Sequence, residues 1–315
     1  MPQLFRGLAP LINGAFIPKD QKDAPLIGMG AAMIAYFLFA MMNVFAKLLS
    51  EHMHVIEVAF YRNIISVIPF AIYIGFWGGK KMLVIRQNPI GIITRSIVGL
   101  VCLVVTFGAY SVMPMADTTA FLFLSSLFMP ILCVIFLKEH VGPYRWSAIL
   151  IGFIGAVIMA TPTGAINYLG VGLALASAFL QGGLGTLLRH LGKTEHPITV
   201  TFYFVLIGAI GSAIPMFWMA SPVSSDLFGS IIGVGLAGAG AQFMLSTAFK
   251  YAPASLVTLF NYTGIIWATL FGWFFWNDWP TWPIWLGGAI VIFSNIFIVI
   301  REQRIAARAR NVEII

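Results

Sequence analysis

Residues 89–112 read PIGIITRSIVGLVCLVVTFGAYSV, and a single charge, Arg95, interrupts them. As an α-helix this stretch would be about 36 Å long, and a bilayer core asks for roughly 20 apolar residues per helical span. The apolar run is continuous rather than alternating, which excludes a strand of a membrane barrel. Outward from it the same reading repeats, giving spans over 26–49, 55–77, 89–112, 116–137, 144–162, 168–189, 196–219, 225–249, 253–275 and 281–300. Turn formers separate them, among them Gly78-Gly79, Pro114, Gly142-Pro143, Pro222 and Pro253. Hydrophobic residues make up 60% of the 315 and charged ones 9%, and no soluble domain covers that much apolar surface with so few charges.

Basic residues give an orientation. Arg6, Lys19 and Lys22 precede the first span, and Lys80, Lys81, Arg86 and Arg95 lie at the junction of the second and third. Lys138 and Arg145 follow the fourth, Arg189 and Lys193 the sixth, Lys250 ends the eighth, and four arginines occupy the C-terminal tail. An even number of spans puts all of these on one side, and both termini are expected in the cytoplasm. Of the 18 Lys and Arg only Lys47 and Arg62 lie elsewhere. The net charge of +7 is thus a topological bias and not a nucleic-acid signal. Trp276, Trp279, Trp282 and Trp285 cluster at the opposite interface. Residues 1–25 read as a cytoplasmic tail and not a secretory signal, and residues 301–315 as a basic cytoplasmic tail. Cys102 and Cys133 fall inside spans with no metal or redox spacing.

The two halves of the chain match each other. A shift of 142 sets Gly28 on Gly170, Phe37 on Phe179, Phe60 on Phe202 and Tyr61 on Tyr203. A shift of 139 sets Pro114 on Pro253, Thr119 on Thr258, Phe121 on Phe260, Glu139 on Asp278 and Trp146 on Trp285. Residues 26–162 and 168–300 are therefore read as two five-helix repeats. Five is odd, so the repeats enter the membrane from opposite sides. The expected fold is all-α and polytopic, with ten transmembrane helices in two inverted repeats, the arrangement of carriers that work by alternating access.

Several motifs carry a family resemblance. They are Phe60-Tyr61-Arg62, then Met113-Pro114-Met115-Ala116, Leu137-Lys138-Glu139, Trp146 and Gly152-Phe153-Ile154-Gly155, with Ala252-Pro253-Ala254-Ser255, Trp276-Asn277-Asp278 and Trp285 in the second half. On these the chain resembles the EamA-type carriers of the drug/metabolite transporter superfamily. Members usually show Gly-Glu where this chain has Lys138-Glu139 and Asn277-Asp278, and Phe204 stands where the second repeat would carry the counterpart of Arg62. The resemblance implies a central cavity lined by spans 1, 3, 4, 6, 8 and 9, and the movement of small organic solutes.

Polar residues at mid-membrane depth are costly without a partner or water, so they mark candidate sites. Tyr36, Asn43 and Lys47 form one stripe, Ser125 sits in the fourth span, Gln181 in the sixth, Gln242 in the eighth, and Asn261, Tyr262 and Trp267 in the ninth. The amides would orient a polar group, and Tyr36, Tyr262, Trp267 and Phe121 would offer flat apolar contacts. The alternative for the hydroxyls, Ser125 included, is interhelical bonding; Asn261 and Tyr262 fit either role. Glu57 and Arg62 are read as a shielded ion pair, or as an arginine capping carbonyls of a neighbouring helix. Lys47 reads as a snorkelling residue or an attractor of anions to the outer mouth. With no acid or histidine near the centre of any span, the vestibule is expected to be uncharged.

The expected function is a secondary transporter in the inner membrane, exporting a small organic metabolite such as an amino acid or a derivative. An importer of a riboflavin- or S-adenosylmethionine-type compound is the alternative. No cofactor, metal or catalytic residue is expected, and the partners are the small-molecule substrate and membrane lipid, with the chain a monomer or homodimer. A membrane enzyme would need metal-binding acids or an activated nucleophile, and a cation channel rings of carbonyls or acids; neither pattern occurs. A scaffold without transport stays open on sequence alone.

Overall fold

The computed structural model describes residues 25–78, 83–128, 131–132, 147, 150–155, 158, 167–252, 257, 260–261 and 263–312. These residues are helical wherever they are regular, with no strand among them. The helices are α1 Pro25–Ser50, α2 Val55–Tyr73, α3 Pro89–Val112, α4 Met115–Leu122, α5 over 150–155, α6 Tyr168–Thr194, α7 Pro197–Met219, α8 Phe228–Tyr251, α9 Thr263–Trp276 and α10 Trp282–Val312. A π turn over Ile74–Gly78 extends α2. Among the described residues, six helices are long and apolar enough to cross a bilayer. The sequence motifs at 137–139, 142–143, 146 and 254–255, together with Cys133, Pro253, Thr258, Tyr262 and residues 1–24, lie outside the described residues.

Two spans differ from expectation. The fourth, read as one helix over 116–137, stops at Leu122, turns at Phe123–Leu124 and is helical again over 125–128. The backbone tightens there: Leu124 donates to Phe121, Ser126 to Phe123 and Leu127 to Leu124, each three residues back. The tenth continues past 300 as helix to Val312, where the expected tail is rich in Glu, Gln, Arg and Ala, all good helix formers.

Helix packing obeys an exchange of the halves. α1 packs along α8 as α6 packs along α3; α2 meets α8 as α7 meets α3; α1 meets α9 as α6 meets α4. The pairs α2–α7 and α4–α9 map onto themselves. Local detail follows the same exchange. His54 caps α2 by accepting from Ile56 N at 3.3 Å, and His196 caps α7 by accepting from Ile198 N at 3.2 Å. Phe60 and Tyr61 meet edge to face at 5.5 Å, Phe202 and Tyr203 at 5.7 Å.

The outer surface of α7 shows what solvent the fold is built for. Ile210, Ile214 and Phe217, spaced along one helical face, are all well exposed, and α2 presents Ile64, Ile68 and Ile72 in the same way. Apolar surface of that extent suits lipid rather than water.

The α2–α7 pair is tied at both ends by carboxylates. Glu57, at the start of α2, accepts from Ser221 N at 3.0 Å and Ser221 Oγ at 2.9 Å in the α7–α8 connection, and from His54 N at 3.2 Å. At the other end Glu195, just before α7, accepts from the backbone N–H groups of Arg86, Gln87 and Asn88 at 3.0, 2.8 and 2.9 Å. Each repeat thus holds the other's second connection. Burial raises the Glu195 pKa, but the three N–H donors and the Arg86 charge outweigh it and leave the group below its ordinary value.

Candidate functional site

A cavity of about 230 Å³ lies between the repeats. α1 contributes Tyr36, Phe39 and Asn43; α3 runs past it with Arg95, Gly99, Cys102, Thr106 and Tyr110. The broken fourth span adds Thr119, Phe123, Ser125 and Ser126, where the turn at Phe123–Leu124 brings Ser125 to the lining. From the second repeat come Gln181, Gly185 and Leu188 of α6, Phe204 of α7, Gln242, Leu245 and Phe249 of α8, with Asn261 and, from α9, Gly264 and Ala268.

Its polar groups form three sets. Asn43 Nδ2 donates to Tyr110 OH at 3.2 Å, and that hydroxyl is 2.9 Å from Thr119 Oγ1. Asn43 Oδ1 is buried with no partner. Gln181 Nε2 donates to Ser177 Oγ at 3.0 Å, and Ser177 continues to Thr106, which returns its proton to Cys102 O at 2.7 Å. Arg95 Nη2 donates to Gln242 Oε1 at 2.7 Å across the two repeats. The Arg95 guanidinium lies over the Phe204 ring, 4.0 Å from its centroid, and its Nε and Nη1 are buried with no partner.

Arg95 corrects the reading of the cavity as uncharged. Six residues into α3, it counts in the sequence as one more basic group near the cytoplasmic interface, yet it is 3% exposed and lines the cavity. A signal was present: Arg95, Gly99, Cys102, Thr106 and Tyr110 share a helical face at steps of three and four. Tyr110, Phe204 and the Ser177–Thr106 chain were missed as well, since each acts through partners distant in sequence.

Phe204 is where the repeats meet most tellingly. Arg62, its counterpart under the shift of 142, also lies over its ring, 5.1 Å from the centroid. Arg62 is fully buried and donates to Asn63 Oδ1 at 2.7 Å and to Gly238 O of α8 at 3.2 Å. It therefore bonds a carbonyl midway along α8, keeps its Nε buried without a partner, and does not pair with Glu57. Two glycines clear the room: a Cβ on Gly99 would sit 2.7 Å from Phe204 Cε2, and one on Gly238 2.6 Å from Arg62 Nε.

The remaining candidates divide between the cavity and its surroundings. Tyr36, Asn43, Ser125, Gln181, Gln242 and Asn261 come together at the cavity. Phe121 does not; it is buried in an apolar cluster with Ala174, Ala178, Ile284 and Val291. One residue along a helix turns the side chain by about 100°, which puts Leu122 rather than Phe121 on the lining. Trp267 packs edge-on against Phe37 at 4.9 Å, away from the lining, with its Nε1 buried and unpartnered.

Lys47 is neither snorkelling nor free. Its Nζ is 3.5 Å from Asp278 Oδ2, donates to Met113 O at 3.4 Å and lies 4.6 Å from the Trp276 ring centroid. Asn277 takes φ 55°, a left-handed conformation that Gly or Asn adopts at a helix end. This accounts for Asn in the family's usual glycine place. The turn lets Asp278 N donate back to Gly272 O at 3.1 Å and holds the carboxylate near Lys47. Trp276 Nε1 donates to Glu51 Oε1 at 2.8 Å, a second link between the repeats at this end.

The EamA-like transporter family is matched twice, over residues 26–161 and 168–300. The chain is 26% identical over 270 residues to the pseudopaline exporter CntI of Pseudomonas aeruginosa, covering 85% of this chain and 94% of that one. It is 28% identical over 314 residues to solute carrier family 35 member G1 of Homo sapiens, covering 90% and 82%. It is 31% identical over 207 residues to a riboflavin transporter of Vibrio cholerae, covering 65% and 68%. A protein of known crystal structure superposes with TM-score 0.64 at 17% identity, over 90% of this chain and 98% of that one, a likeness of fold alone.

Proposed function

We infer the function from one premise: the chain belongs to the EamA-like transporter family, through both of its repeats. It is a multi-pass membrane transporter of a small molecule and not an enzyme. Beyond that premise, we propose that it exports an amino acid or a derivative of one across the inner membrane by alternating access, with both termini in the cytoplasm.

The observation that carries this reading is the Arg95–Gln242 bond. It spans the two repeats inside the cavity, so a solute that engages either residue feels both halves at once. Only differential binding to two conformations lets a ligand drive a switch between them. Support for the inverted arrangement comes from the packing exchange and from the odd number of helices per repeat. The pseudopaline exporter among the relatives favours outward movement of a metabolite. A second reading, import of a riboflavin-type compound, draws on the riboflavin transporter and on the aromatic lining by Tyr36, Phe39, Phe123, Phe204 and Phe249.

The test begins with a metabolite-wide thermal-shift screen of the purified protein, since a ligand of the folded state raises its apparent stability by mass action. Hits then go to counterflow in proteoliposomes. The proposal expects saturable flux of a hit and loss of its thermal shift in Gln242→Leu. Linear flux, or a shift unchanged in Gln242→Leu, would place transport or binding elsewhere.

A further inference from the structure

We infer that the ligand of this cavity carries a carboxylate and that Arg95 is the residue that holds it. The inference rests on the cavity being the substrate site, as proposed above.

The argument is a contrast between two buried cations over one ring. Arg62 gives both terminal nitrogens to protein, Nη1 to Asn63 and Nη2 to the Gly238 carbonyl, keeps only Nε without a partner, and does not line the cavity. Arg95 gives one nitrogen to Gln242 and leaves Nε and Nη1 buried without a partner, in a residue that does line it. Among the described residues neither guanidinium has a carboxylate within ion-pairing distance; the ion pair found there is Lys47–Asp278. Two positive groups withdrawn from water without a counter-charge are costly, and a cation over an aromatic ring offsets only part of that cost. The cavity therefore has a standing deficit of negative charge at Arg95. Guanidinium is the side chain whose fixed set of donors best suits a planar carboxylate.

The opposite requirement appears at Asn43. Its Nδ2 is used by Tyr110, while Oδ1 is buried and accepts nothing. A ligand that satisfies the cavity presents an anion to Arg95 and an N–H or O–H donor to Asn43. That is the pattern of an amino-bearing or hydroxyl-bearing carboxylate. Phosphate monoesters share the anionic chemistry, and they are separated from carboxylates by experiment.

The full-length protein in detergent is titrated with matched sets of solutes: free carboxylates, their methyl esters and primary amides, and phosphomonoesters of similar size. Thermal shift is measured for wild type, Arg95→Gln and Arg95→Lys, with counterflow in proteoliposomes alongside. The inference expects carboxylates to bind at least tenfold more tightly than their esters and amides. It expects Arg95→Gln to lose at least tenfold for the acid and little for the ester, with Arg95→Lys between. Esters binding as well as acids, phosphomonoesters binding in place of carboxylates, or an Arg95→Gln protein that keeps the acid preference would each overturn it. Should Arg95→Gln not fold, the acid-to-ester ratio on wild type tests the carboxylate, and its fall in Arg95→Lys tests Arg95; a ratio in Arg95→Lys equal to wild type would then overturn the assignment. A solute without a carboxylate, such as an amino-acid amide or ester, carried by wild type and lost in Gln242→Leu would sink this inference and leave the proposed function standing. Failure of every solute, charged or not, to bind or move would remove the proposed function itself.

Discussion

The two sides of the cavity are joined by different chemistry. On one side the α2–α7 pair is pinned at both ends, Glu57 to Ser221 and Glu195 to the backbone of residues 86–88, with three protein donors on each carboxylate. On the other, α1 reaches the α9–α10 connection at one end through Lys47–Asp278, a 3.5 Å contact whose aspartate side chain is 36% exposed. Charge-assisted bonds to backbone N–H groups are strong and directional, whereas a single ion pair at 3.5 Å, with Lys47 buried but Asp278 partly open to solvent, contributes about 1 kcal/mol. The lesson is a division of labour. The pinned side suits a pivot, and the weakly latched side, with the broken fourth span beside it, suits opening.

The largest expected effect lies on the pinned side. Glu195→Ala strands the N–H groups of Arg86, Gln87 and Asn88 and should cost about 3 kcal/mol, read as a lower thermal-unfolding midpoint in detergent. A midpoint equal to wild type would remove the clasp from the account. Gly238→Ala comes next. Its Cβ would press on Arg62 Nε, and the overpacking should cost about 1–3 kcal/mol, checked by the same melt; a neutral result would mean α2 and α8 have slack.

A smaller effect is pH-dependent. His196 caps α7 beside Glu195, and burial first, then the Lys250 and Arg86 charges, press its pKa from 6.5 to about 4. Between those values the unfolded chain takes up a proton that the folded one refuses, so stability is flat above pH 6.5 and falls as pH drops toward 4. The Glu195 contribution, with its pKa depressed, persists above the ordinary carboxylate range and is lost only as pH falls through the lowered value. His196→Asn keeps a side-chain acceptor for the cap and should flatten the slope in the His196 window. A slope unchanged by that substitution would assign it to another group.

The smallest thermodynamic effect belongs to the latch. Lys47→Met should change stability by less than about 1 kcal/mol. It should nonetheless speed thiol labelling of a cysteine placed at the cavity residue Ser126. A stability loss as large as that of Glu195→Ala would erase the contrast between the sides.

Much of the scaffold is legible in the sequence, because a bilayer admits few backbone solutions. The third span is read as 89–112 and α3 is Pro89–Val112; spans 1, 2, 6, 7 and 8 lie within a few residues of their helices. The turn at Phe123–Leu124 within the fourth span is invisible to hydropathy, which does not register three-residue hydrogen bonds. At the cavity, Gln181, Gln242 and Asn43 stand out because an amide in an apolar run is conspicuous. Arg95 lies near enough to the interface that the sequence counts it with the cytoplasmic charges. Phe121, expected at the cavity, faces the apolar cluster, one step of helical rotation from Leu122 on the lining. The Glu57 and Glu195 clasps were out of reach for a different reason: their partners lie more than 100 residues away in the chain, and no local pattern encodes such a pairing.

The most direct test of the pivot-and-latch account is transport with each side locked in turn by a bifunctional thiol reagent, in a background lacking Cys102 and Cys133. Paired cysteines replacing Glu57 and Ser221 hold the pinned side, and paired cysteines replacing Lys47 and Asp278 hold the latch. The account predicts that counterflow of a carried solute survives the first cross-link and stops with the second. Loss of transport on locking the Glu57–Ser221 side, or persistence with the Lys47–Asp278 side locked, would contradict it.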